Sequence, residues 1–166
     1  HAEAVQLQRS AVELQKAREG ETSAATAVAL RELAIAEEVQ GSDPEPRYRA
    51  ALAMAETVGQ AREIPLRGWQ VPLAAFLVGA NRCREAVPLL RSALAGMDAA
   101  ANTADPIATP QMLLLLDACS AQASQSASGM SRVDACAALR ELPGAGVDVY
   151  PVTRTLLTTR CGMRKG

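Results

Sequence analysis

Few side chains in this sequence have a type and spacing that could do chemistry. His1 is the only histidine, and it is the first residue. Ser–His and Cys–His catalysis and a His-ligated metal site are therefore not expected. The carboxylates show no paired spacing beyond ordinary helix faces, and Glu37-Glu38 reads as a solvated face. Gly144 and Gly146 lack the Lys-Ser/Thr of a phosphate-binding loop. The serines of 124–131 read as a polar loop. No catalytic residue, cofactor or metal site is expected, and the chain is not expected to be an enzyme.

Four cysteines remain: Cys83, Cys119, Cys136 and Cys161. No CxxC spacing occurs, which argues against a zinc site. They read either as small buried hydrophobes or as disulfide partners. Cys119 and Cys136 flank the Ser-rich loop on consecutive predicted helices. A hairpin of those helices could bring their Cα atoms within the ~7 Å that a disulfide needs. Cys83 and Cys161 have no evident partner. The chain starts at His1 rather than Met, so it reads as a fragment, a processed protein or one with a tag remnant. An even cysteine count and a processed start lean towards an oxidising, periplasmic or extracytoplasmic compartment. Trp69 beside Arg67 has two readings: a packing residue, or an anchor on a binding surface, since Trp and Arg are favoured there.

The elements that must position these residues follow from composition. The chain has 166 residues, 34 of them Ala and 19 Leu, with aromatics at only 2%. Strands favour β-branched and aromatic residues, so Ala and Leu at this density predict closely packed helices. A net charge of −1 gives no electrostatic footprint for nucleic acid. No apolar run approaches the roughly 20 residues of a membrane-spanning helix. Periodicity predicts helices over 3–18, 23–40, 46–59, 67–80, 84–94, 110–122, 132–142 and 149–161. Gly20, Gly41, Asn81 and Pro143-Gly144 are the stops, and Thr22 or Ser23 is the cap before the second helix. About eight helices with short connectors form either a bundle or a solenoid. Residues 1–22 read as a lead-in and 23–166 as the helical domain.

The pattern Ala86-x3-Leu90-x2-Ala93 sets small residues around a large one on a single face. It follows Leu73-Ala74-x2-Leu77 and precedes Asp105-Pro106, and Ala135-x3-Leu139-x2-Leu142 repeats it more weakly. This arrangement resembles a tetratricopeptide repeat (TPR), closest to the kinesin-light-chain-like variety. The resemblance implies an all-α, right-handed stack of antiparallel hairpins. It also implies a concave groove lined by Gly68, Val71, Ala75 and Val78 in one repeat and by Pro110, Leu113 and Asp117 in the next. With Arg67 and Trp69, these are the candidate partner-binding residues. The function this implies is a non-catalytic scaffold for a protein or peptide, within a larger bacterial signalling or secretion-related protein. The alternative is an extracytoplasmic sensor of a small ligand or peptide.

Overall fold

Helix boundaries in this protein are set by local chemistry at each end. The computed structural model describes residues 2–62, 66–99 and 108–119, together with Cys136, Thr155, Leu156 and Cys161. These residues form α1 (Ala2–Glu19), α2 (Ala24–Gln40), α3 (Glu45–Arg62), α4 (Arg67–Gly79), α5 (Cys83–Ala99) and α6 (Ala108–Cys119), with no strand among them. All the elements among the described residues are helices, as the composition predicts. The helices predicted over 132–142 and 149–161 lie outside the described residues, apart from Cys136 in the first and Thr155, Leu156 and Cys161 in the second.

Ser23 caps α2: its extended backbone lets Oγ accept the Thr26 N–H at 3.0 Å. The Thr26 hydroxyl donates back to the Gly20 carbonyl, tying the α1–α2 turn together. At the far end of α2, Gly41 is left-handed, with φ of 83°. The Gly41 N–H then reaches the Glu38 carbonyl and the Ser42 N–H reaches that of Glu37. The same paired closure ends α4, where Asn81 takes φ of 60°. Asn81 is the left-handed stop that the sequence predicts. The Asp43-Pro44 restart of α3 is equally local: Asp43 Oδ1 accepts the Glu45 N–H at 3.1 Å.

The chain divides into two compact units, residues 1–73 and 74–166, with the division inside α4. In the first unit α2 is central, with α1 packed on it and α3 packed on it in turn. Connections of four residues make each neighbour antiparallel. Val5 and Val12 of α1, Ala27, Leu30, Leu33 and Ala34 of α2, and Tyr48, Ala51, Leu52 and Ala55 of α3 are buried. At the start of α4, Trp69, Val71 and Leu73 are buried too, and Trp69 reaches the Ala27 carbonyl of α2. The many alanines let helix axes approach closely, so tyrosine and tryptophan at single positions fill the remaining space.

In the second unit α5 packs on α6. The Ala86, Leu90 and Ala93 stripe is buried, as its spacing predicts, along with Met112, Leu114 and Leu115. A second cluster joins Leu114 to Cys136 and Cys161, with Leu156 against it.

Candidate functional site

Three places in the described structure concentrate polar groups or exposed apolar surface. The first is the C-terminal end of α2. Glu37 sits on the stripe Leu30, Leu33, Ala34, Glu37 and is buried, with only 3% of its surface exposed. Its Oε1 faces Arg9 Nη2 of α1 at 3.5 Å and Arg47 Nη2 of α3 at 3.8 Å. One carboxylate thus links three helices. Its Oε2 is buried without a hydrogen-bond partner. Next to it, Glu38 Oε2 accepts the Tyr48 hydroxyl at 2.8 Å. Burial raises the Glu38 carboxyl above its ordinary value of 4.5, and the Tyr48 hydrogen bond offsets part of that rise. The solvated face expected at Glu37-Glu38 is therefore corrected. The α1 and α3 helices cover α2 from two sides, so a position that is exposed on a lone amphipathic helix is enclosed here.

The second place is the junction of α2 with the start of α4. Trp69 is buried, and its Nε1–H donates to the Ala27 carbonyl at 3.3 Å. Arg31 lies over the indole ring with its guanidinium carbon 5.8 Å from the centroid. Arg31 Nη1 also donates to the Gly68 carbonyl at 3.4 Å. That carbonyl lacks its helical partner because the residue four positions on is Pro72, which has no N–H. Arg31 supplies the missing donor. Of the two readings of Trp69, the structure gives the packing residue.

Of the other residues proposed for partner binding, half lie inside. Val71, Ala75 and Leu113 are buried, as is Pro110, while Arg67, Gly68, Val78 and Asp117 are partly accessible. Their apolar members pack against the chain itself. Arg67 and Gly68 lie in the first unit, whereas Val78 and Asp117 lie in the second.

The cysteines pair differently from the sequence expectation. Cys83 bonds Cys119 and Cys136 bonds Cys161, with Cα atoms 5.3 Å and 5.5 Å apart. A Cys119–Cys136 bond is therefore corrected. Cys83 is the first residue of α5 and Cys119 the last of α6, and antiparallel packing of these two helices sets those ends side by side.

The third place is the outer face of α1. Leu7 and Leu14 are 70% and 56% exposed, the two most exposed large hydrophobics described. Ala2, Glu3, Gln6, Leu7 and Ser10 line a shallow hollow at its start. The sequence predicts a helix over 3–18, but periodicity read along one face does not single out this outer one. The missed signal is a doubled heptad: Val5 and Val12 mark the inner face, Leu7 and Leu14 the opposite one.

Among the described residues no group of three His, Cys, Asp or Glu side chains could hold a metal ion, and no helix is long and apolar enough to cross a membrane. No family model, curated protein or solved structure matches this chain.

Proposed function

We propose that this chain is a non-catalytic, helical protein-interaction domain whose docking surface is the outer face of α1. The observation that carries this reading is the exposure of Leu7 and Leu14, one heptad apart on the face opposite the core. These two leucines, left more than half exposed by the fold, are the apolar centre that a partner helix would cover. The buried polar residues of the first unit support it. Glu37 links α1 and α3 to α2, which fixes where the outer face of α1 stands on the first unit. The buried Ala86–Leu90–Ala93 stripe supports a TPR-like reading of the stacked helices. The four paired cysteines favour a compartment where disulfides persist, which suits the periplasmic or extracytoplasmic reading.

The test uses the tagged domain as bait in an extract of its native compartment. The bait carrying Leu7→Gln and Leu14→Gln should lose the protein that the unmodified bait captures, with its helical circular dichroism unchanged. Equal capture by both baits would overturn α1 as the docking surface.

A further inference from the structure

The outer face of α1 reads the same in both directions. Positions whose numbers sum to 21 are complementary: Leu7 with Leu14, Glu3 with Arg18, Gln6 with Gln15, Ser10 with Ala11, Ala4 with Ala17. At 100° per residue, Glu3, Leu7, Ser10, Leu14 and Arg18 fall within a sector of about 80°, opposite Val5 and Val12. All five are exposed. Neither Glu3 nor Arg18 has an ion-pair partner among the described residues. The acidic end of the helix is its first turn and the basic end its last.

We propose that the partner of this face is a second copy of the chain, with the two α1 helices antiparallel about a two-fold axis. The inference rests on the α1 docking reading and specifies its partner. In this register Leu7 packs on the partner's Leu14, and Glu3 lies beside the partner's Arg18. The two-fold axis repeats each contact, which is what an isologous interface requires. Glu3, Gln6, Leu7 and Ser10 stand at i, i+3, i+4 and i+7, the four corners of the hole that receives a knob from a facing helix. They are also four of the five residues lining the hollow. The partner's Leu14 is the knob that this register delivers there. The small Ser10 and Ala11 sit at the axis, where the helices come closest. An 18-residue helix is about 27 Å long. One such pair buries less than the roughly 1,600 Å² of a standard stable interface. The dimer is therefore concentration-dependent, with a Kd in the micromolar range.

Sedimentation equilibrium of the purified chain, from micromolar to near-millimolar concentration, tests this. The expected result is a monomer–dimer equilibrium that Leu14→Glu weakens at least tenfold without loss of helical circular dichroism. Glu3→Arg and Arg18→Glu should each weaken it several-fold, and the two together should restore it. A monomer at every concentration would overturn the proposal. So would a dimer indifferent to Leu14→Glu, or a charge swap that fails to restore pairing. If the purified chain is monomeric yet the extract partner is lost with Leu7 and Leu14, self-pairing fails and the docking reading stands.

Discussion

Glu37 holds a buried carboxylate between two arginines whose side chains are about half in water. Taking that charge out of solvent is costly, and Oε2 receives no hydrogen bond in return. The pairing therefore specifies how α1 and α3 sit on α2 more than it stabilises them. Glu37→Met, of similar volume, should be neutral or stabilising, since both arginines can turn to water. Removing both arginines (Arg9→Ala with Arg47→Ala) strands the carboxylate and should cost about 3 kcal/mol, the low end for a broken buried pair because solvent lies close. Urea unfolding of the two variants gives the comparison. A larger loss in Glu37→Met than in the double variant would mean that the carboxylate is a net stabiliser. Glu38 makes a pH prediction. Its folded carboxyl titrates above the unfolded value of 4.5, so the native state holds the proton more tightly. That contribution is fully present below 4.5 and is lost as pH rises through the folded value. The stability of the unmodified protein relative to Glu38→Gln should thus fall with rising pH and then level off. A gap that is constant, or that widens with pH, would contradict the assignment.

At the scale of elements, α5 gives the sharpest test of the packing. Leu90 is completely buried between Ala86 and Ala93. Small neighbours allow a facing helix to approach, but they also leave little side-chain mass to collapse into a void. Leu90→Ala should cost about 2–5 kcal/mol in thermal or urea unfolding. A loss below about 0.5 kcal/mol would mean that the stripe is not the packed face. The features of these elements that were legible in the sequence are those decided within a few residues. Ser23, Gly41 and Asn81 act on backbone groups three or four positions away, and Asp43 on one two away. The Leu90 stripe was legible because one face of one helix carries it. Glu37 was misread because its burial depends on α1 and α3 both covering α2, which no local window contains. Its place four residues after Leu33 and three after Ala34 was the available sign. Trp69 was legible as a large packing residue, but not its partners Ala27 and Arg31, about 40 positions earlier.

At the scale of the whole chain, the two disulfides lie within residues 74–166, whereas residues 1–73 contain no cysteine. The pairing was not legible because sequence distance ranks Cys136 as the nearest partner of Cys119, whereas helix contact ranks Cys83 first. The bonds span 36 and 25 residues. Chain-entropy arguments give loops of this size about 3–4 kcal/mol of stabilisation each. That is a large share of the stability of any domain this small. Reduction should therefore lower amide protection in α5 and α6 far more than in α1, α2 and α3, whose core of Leu30, Leu33, Tyr48 and Leu52 holds no crosslink. Hydrogen exchange with and without reductant reads this helix by helix, and a non-reduced digest reads the connectivity directly. Peptides joining Cys119 to Cys136 would contradict the antiparallel α5–α6 pairing. Equal loss of protection in all the helices would show that the crosslinks stabilise the first unit as strongly as the second.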